Sequence, residues 1–509
     1  MRVDQYVDSV AADPAAAMAC ALQGQDGERL TYAALAQRVA AAAAAFASAG
    51  VAPGQRAILV GENSVDMVVA LLGAIRAGAW TVPLNARMSA GEVDAICDHC
   101  APRLTFFSAA SGEAVAHAKR RGASALASAE LAGAWLGLHG HDVAPDGSDD
   151  GSDQDVAVMI YTSGSTGTPK GVMLTHRNLE FVSAASLAQQ VLLPGDRIYH
   201  ALPISHSFGL VSVLLCGLRA GATIELASRF DAARLAHALL HDGITVFQGV
   251  PAMYARLAEW AAQTGVALQP NRLRLAYIGG SQVDAARKAR AEALLGLPLH
   301  HGYGLTESAP AATRTFGHPP AHDVTAGWPI PGIEVIVSDA RGEPLPHGAQ
   351  GEILIRGPNV MKGYFRDPEQ TRAAIDAEGW LHTGDLGRFG RAGDLTIVGR
   401  MKDMIIRGGF NVYPAEVEAA IAAYPGIAQC AVLGRAVDGD EEVAAFIEPQ
   451  AGAAIDAKRL ERFLRERLAP YKIPRHFRVM ERLPASGTGK ILKSKLVPLL
   501  ASFAEESQP

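Results

Sequence analysis

Residues 161–176 read YTSGSTGTPKGVMLTH, and the rest of the chain is organised around them. Gly164, Gly167 and Gly171 carry no Cβ, so successive amides can turn inward toward an anion, while the hydroxyls of Thr162, Ser163, Ser165 and Thr166 supply further donors. Lys170 adds a cation. The apolar run 156–160 (VAVMI) precedes the segment as a buried strand, and residues 178–187 follow it with helical character. Together they predict the strand, loop, helix order of a phosphate site. The ordinary P-loop needs G-x-x-x-x-G-K-[ST]; here Lys170 lies between Pro169 and Gly171, which excludes that pattern.

A chain of 509 residues with 49% hydrophobic content has material for more than one domain. Its net charge is −6, without a cluster of Lys and Arg suited to a phosphate backbone, so nucleic acid is not an expected partner. No apolar run reaches the roughly 18 residues that span a bilayer, and residues 1–14 are charged where a signal peptide is apolar. A cytoplasmic location with no transmembrane segment is expected. The five cysteines are scattered, which suits a reducing compartment. Cys97 and Cys100 form one CxxC without a second pair, and Ser89 with Glu92 reads as a capping box that places both thiols on a helix.

The order of apolar runs predicts an α/β fold. Thr31 caps an alanine-rich helix to about residue 49, 57–60 is a strand, 65–76 an apolar helix, and another strand starts at 80. Residues 141–155 are acidic and turn-forming, a connector ahead of the glycine-rich loop. Alternation resumes at 196–300, with strands at 197–202, 222–226, 244–248 and 273–278 and helices at 209–218 and 232–241. Two doubly wound lobes follow from this, with a small β-rich lobe from about residue 333. Past a charged joint, MKDMIIRGG, about 100 residues have a mixed αβ pattern of their own and a domain's length. The expected division is 1–400 and 401–509.

Three further stretches carry chemistry. GYGLTE, 302–307, offers an aromatic face, a hydroxyl and a carboxylate within a few residues, the parts of a site for a base, a phosphate and a metal ion. GWLHTGD, 379–385, ends in Asp385 after a tight turn, where a carboxylate can accept both hydroxyls of a ribose. PASGTGKILK, 484–493, sets Lys490 beside a flexible glycine turn.

These segments, with GRMKDMIIRGGFNVYPAEVE at 399–418, closely resemble the motifs of the adenylate-forming superfamily. That family includes acyl-CoA and aryl-CoA synthetases, firefly luciferase and peptide-synthetase adenylation domains. The likeness covers essentially the whole chain, with six motifs in order, and is greatest to bacterial fatty acyl-CoA synthetases. It implies ATP, Mg²⁺ and coenzyme A as cofactors, a carboxylic acid as the small-molecule partner, a mobile C-terminal domain, and leaves room for a homodimer. By the resemblance, loop residues Thr162 to Lys170 hold the β- and γ-phosphates. Gly279, Gly280 and Ser281 form the adenine-side turn, and the Gly302, Tyr303, Gly304 segment supplies the tyrosine that stacks on the base. Thr306 and Lys490 act on the α-phosphate; Glu307, with Thr166, holds the metal. Asp385 takes the ribose, Arg400 is a second ribose or phosphate contact, Lys402 is the pivot, and Gly408 and Gly409 line the pantetheine path. His206 in LPISHSFG falls at the wall of the acyl pocket, where a core histidine is a competing reading. Val250, Pro251 and Tyr254 fall at its far side.

The implied reaction is ATP-dependent adenylation of a carboxylate followed by thioester formation. Peptide-synthetase domains hold an amino group with an aspartate in the LPISHSFG region; Ser205, His206 and Ser207 stand there instead, which disfavours an amino acid. The apolar runs FGLVSVLL and TVFQGVPAMY lack an obvious buried cation, so a dicarboxylate is not expected. A medium- to long-chain fatty acid is the first expectation. An aryl acid of benzoate or coumarate type is the second, and acyl transfer to a carrier-protein phosphopantetheine is a further alternative.

Overall fold

In the computed structural model of the chain the described residues are 1–125, 131, 135–138, 155–163, 169–281, 284–318, 324–408, 410–437, 440–485 and 491–505. Buried apolar strands alternating with capped helices build two large sheets. Among the described residues the first has eight strands, with Arg56–Gly61, Trp80–Asn85 and Leu104–Phe107 parallel at its centre. The second has nine, and its parallel middle runs Thr223–Leu226, Arg197–His200, Val246–Gly249, Leu275–Ile278, Leu299–Tyr303. One apolar core contains residues of both sheets. The helix Val65–Arg76 lies in that core as predicted: Ser64 Oγ caps it by accepting from Met67 N at 3.2 Å, and its apolar residues are buried on every side.

Two expectations are corrected, and a pairing that the sequence did not announce comes between them. The strand Val156–Ser163 is not followed directly by a helix. A second strand, Pro169–Thr175, returns antiparallel with Thr162 opposite Lys170, and only then does the helix His176–Ala188 begin at Thr175. Val172 and Leu174 alternate into the core, and the ladder satisfies their backbone groups. Residues 20–31 belong to the second sheet. Cys20–Gln23 pairs in parallel with Thr223–Leu226 and antiparallel with Arg29–Thr31. The helix expected at 209–218 is a π-helix, Phe208–Leu215, followed by α-helical Cys216–Ala220, and 232–241 divides in the same way into Ala232–His237 and Ala238–Asp242.

The β-rich lobe is a four-stranded antiparallel sheet of Glu334–Ser338, Gly351–Arg356, Leu381–Phe389 and Leu395–Arg400. A 3₁₀ turn, Met401–Asp403, leads from it into the C-terminal part. There a hairpin, Ile405–Arg407 with Phe410–Val412, and a three-stranded sheet, Ile427–Val437, Asp440–Pro449 and His476–Val479, pack with the helices Pro414–Ala422 and Ala457–Arg465 on apolar clusters of their own. The fold is α/β, with a large N-terminal region and a smaller α+β C-terminal one. Among the described residues no helix is long and apolar enough to cross a membrane.

The helix Ala90–Cys100 opens with the expected capping box, Glu92 N to Ser89 Oγ at 3.3 Å and Ser89 N to Glu92 Oε2 at 2.7 Å. Cys97 and Cys100 are buried in it. Burial raises both thiols, Cys100 to about 12, so they stay protonated and pack as small apolar groups.

Candidate active site

The strand Leu299–Tyr303 brings the site together because two glycines let it pass where no side chain fits. A Cβ on Gly302 would lie 1.8 Å from the Tyr277 hydroxyl, and one on Gly304 would lie 1.7 Å from the Pro310 carbonyl oxygen. Tyr303 follows, and its hydroxyl donates to Asp385 Oδ2 at 2.7 Å. Burial first, and then the Asp385 carboxylate, raise that hydroxyl far above its ordinary value, which keeps it a donor. Arg400 Nε meets the other carboxylate oxygen, Oδ1, at 2.8 Å. The pairing is built into the sheet, since Asp385 and Arg400 sit opposite each other in the ladder. A carboxylate accepts about four hydrogen bonds, so with two partners Asp385 keeps about two positions, the capacity that the ribose contact expected from the sequence requires.

Past Tyr303 the chain turns through a short 3₁₀ segment, Thr306–Ser308. Thr306 Oγ1 lies 3.3 Å from Ser207 Oγ, which ties the GYGLTE segment to the head of the π-helix. Glu307 Oε1 accepts from the Tyr364 hydroxyl at 2.9 Å, and Lys170 Nζ stands 5.1 Å over the same tyrosine's ring. Nothing in the sequence marks Tyr364, yet it joins the carboxylate of one motif to the lysine of another. It reaches them because Gly363–Tyr364 adds to the edge of the hairpin strand, opposite Met173 and Val172. Gly164, Ser165, Thr166 and Gly167 lie outside the described residues. Tyr364→Phe removes one hydrogen bond to a charged group, and an adenylation kcat/KM about tenfold lower is expected in pyrophosphate exchange. An unchanged rate would show that Glu307 is positioned without it.

The remaining candidates fall on both sides of this centre. Gly279 and Gly280 follow the strand Leu275–Ile278; a Cβ on Gly279 would lie 3.2 Å from the Phe208 ring, and Gly280 has φ +80°. Ser281 is exposed. His206 is exposed just before the π-helix, which removes the core reading; His200, six residues earlier, is fully buried, and burial lowers its pKa to about 3. Val250 stands 3.4 Å from the position of a Cβ on Gly280, but Tyr254 is core: its hydroxyl donates to the carbonyls of Phe247 and Tyr277 at 3.2 and 3.0 Å. Lys402 is exposed in the turn that follows Arg400. Gly408 N donates to Asp440 Oδ1 at 2.8 Å. Gly409 and Lys490 lie outside the described residues.

Outside the apolar runs FGLVSVLL and TVFQGVPAMY a cation is buried: Arg314, on the short strand Thr313–Arg314 beside Leu299–Tyr303. It is 7% exposed. The two apolar runs themselves lack a cation.

Glu307 is also the test of whether Mg²⁺ fits. Among the described residues no group of three or more His, Cys, Asp or Glu is placed to share a metal ion. Mg²⁺ is ordinarily held by one or two carboxylates together with substrate phosphates, and a single carboxylate next to the Lys170 strand is that donor set.

Residues 7–365 match the AMP-binding enzyme family, and residues 416–490 match the AMP-binding enzyme C-terminal domain. The chain belongs to the AMP-binding enzyme family. This AMP-binding enzyme is 38% identical over 473 residues to a feruloyl-CoA synthase of Amycolatopsis sp, an alignment covering 92% of this chain and 94% of that one. It is 32% identical to 4-coumarate–CoA ligase 1 of Oryza sativa subsp. japonica over 97% of this chain and 91% of the relative. Among solved structures it superposes on the o-succinylbenzoate coenzyme A synthetase MenE of Bacillus subtilis, in complex with ATP and magnesium ion, with a TM-score of 0.81, 27% identity and 97% and 99% of the two chains covered. The AMP-binding enzyme described here is an ATP-dependent, AMP-forming acid–CoA ligase, with ATP and CoA as co-substrates and Mg²⁺ as cofactor.

Proposed function

We propose that this ligase activates an aryl acid and not the fatty acid first expected from the sequence. The observation that carries the reading is the likeness to ligases named for aromatic acids, at up to 38% identity over nearly the whole chain. The local geometry supports it: Phe208 and Tyr277 stand edge to face with centroids 6.1 Å apart, next to Gly279, an arrangement against which a flat ring packs well.

A carboxylate becomes an electrophile only when one oxygen is made a leaving group. In the first step that oxygen attacks the α-phosphorus of ATP, the new P–O bond forms as the α–β bridge breaks, and pyrophosphate departs. Asp385, set by Tyr303 and Arg400, fixes the ribose and so the phosphorus. Thr306, steadied by Ser207, and Lys490 donate to the α-phosphate oxygens as charge gathers there. Lys170 and the loop before it hold the β- and γ-phosphates. Mg²⁺, when bound at Glu307, neutralises phosphate charge. In the second step the CoA thiol attacks the acyl carbonyl, its proton passes to solvent, and AMP leaves.

Lys490 belongs to the first step and the Gly408 loop to the second, so residues 401–509 act as a domain that swings about Lys402. The exposed turn Met401–Asp403 between two separate cores is suited to that rotation. Lys402→Pro fixes φ at the pivot and is expected to slow thioester formation about tenfold while adenylation changes less. A second step at the wild-type rate would remove Lys402 from the hinge.

The substrate reading is tested with a panel from acetate through long fatty acids to benzoates and hydroxycinnamates, scored for AMP release with and without CoA. Aryl acids are expected to give the highest CoA-dependent kcat/KM. A fatty acid that exceeds every aryl acid would overturn the assignment.

A further inference from the structure

Arg314 is a buried guanidinium with nothing to neutralise it. Among the described residues its side chain has no hydrogen bond and no ion pair, although it is 7% exposed. The titratable groups that act on it are Tyr277 and Cys216. Burial raises Tyr277 to about 12 and raises Cys216 as well, so both are neutral at pH 7. An arginine does not escape by losing its proton, and a cation removed from water without a partner is costly to the fold. Such a residue calls for a countercharge that comes from elsewhere.

Its position says from where. Arg314 sits directly opposite Gly302 in the antiparallel ladder. Opposed residues of such a pair project from the same face of a sheet, and on that face Gly302 abuts the Tyr277 hydroxyl. Tyr277 in turn stands edge-on to Phe208, and Ser207, just before Phe208, reaches Thr306. Contacts therefore link Thr306, through Ser207, Phe208 and Tyr277, to Gly302 and the Arg314 opposite it.

We propose that Arg314 is a specificity residue of the acyl site, which receives a second anionic group, a carboxylate or equivalent acidic oxygen, at the end of the acid remote from the carboxyl that is adenylated. The assignment rests on the aryl-acid ligase reading and narrows it to aromatic acids with two acidic groups. A planar guanidinium accepts a carboxylate through two parallel N–H···O bonds, which fixes orientation as well as charge, and a neutral tail of the same shape would leave the cation buried and unpaired.

The experiment uses a series of aromatic acids with a terminal carboxylate at increasing distance from the reacting carboxyl, each beside its terminal carboxamide isostere. CoA-dependent AMP release is measured for the wild-type enzyme, Arg314→Met and Arg314→Lys. In the wild type at least one dianion is expected to exceed its carboxamide in kcat/KM by about tenfold or more. Arg314→Met should reverse that ratio and Arg314→Lys retain part of it. The melting temperature of Arg314→Met should not fall, because an apolar side chain of similar volume replaces an unpaired buried charge. The inference is overturned if no dianion is preferred to its isostere, if Arg314→Met keeps the wild-type ratio, or if that variant loses melting temperature with the ratio unchanged, which would make Arg314 structural. Neutral-tailed aryl acids as the best substrates would end this inference and leave the ligase reading intact. No AMP from any acid would end both.

Discussion

Replacing Lys490 by alanine is expected to lower ATP–pyrophosphate exchange by about 10²- to 10³-fold, while thioester formation from supplied acyl-adenylate falls by less than about threefold. The asymmetry follows from where charge develops. In the first step the α-phosphate gains negative charge as the carboxylate attacks, and a cation aimed there acts on the transition state more than on bound ATP. In the second step that phosphate is already a leaving group attached to the acyl carbon, and on the proposed rotation the domain that carries Lys490 has swung away. The two half-reactions can be assayed apart, so the result is read as a ratio that a general loss of folded protein does not move. Equal losses in both assays would refute the division of labour.

Asp385→Ala should raise the KM for ATP by at least about 30-fold, the effect of removing a buried carboxylate together with the two side chains it holds in place. The Asp385 side chain is 6% exposed, and its removal also releases the Tyr303 hydroxyl and the Arg400 guanidinium that it holds. Arg400→Gln should be milder, about threefold, because that side chain is 44% exposed and solvent already screens it. Isothermal titration with AMP, alongside initial rates at varied ATP, separates ribose binding from catalysis. An Asp385→Ala enzyme with unaltered nucleotide affinity would remove the aspartate from the nucleotide site.

Much of this was legible in the chain itself. Elements with a cap and an unbroken apolar pattern, such as the helix Val65–Arg76 behind Ser64, stand where the residues place them, because the local signals and the core agree. GVMLT was harder to read: its alternation belongs to a strand, but glycine and proline beside it suggest a loop, and only the partner Val156–Ser163 decides. Phe208–Leu215 has the composition of any buried helix, and its π geometry depends on what packs around it. Arg314 escaped notice for another reason. An arginine in ATRTF, between polar neighbours, reads as solvated, and its burial is visible only when Leu299–Tyr303 and Trp328–Pro329 flank it. Tyr364 likewise gains its place from a sheet edge that no local pattern announces.

The pairing of Cys20–Gln23 with Thr223–Leu226 also bears on how the protein is made. A ribosome delivers the first of these strands long before the second, and at 5–20 residues per second the wait is roughly 10–40 s. Throughout that interval Cys20–Gln23 can pair with Arg29–Thr31 but lacks the strand that flanks it on its other edge, so Ala21 and Leu22 are incompletely covered. Limited proteolysis of chains arrested before Thr223 should cut near residue 22, and protection there would mean that the segment finds a temporary partner.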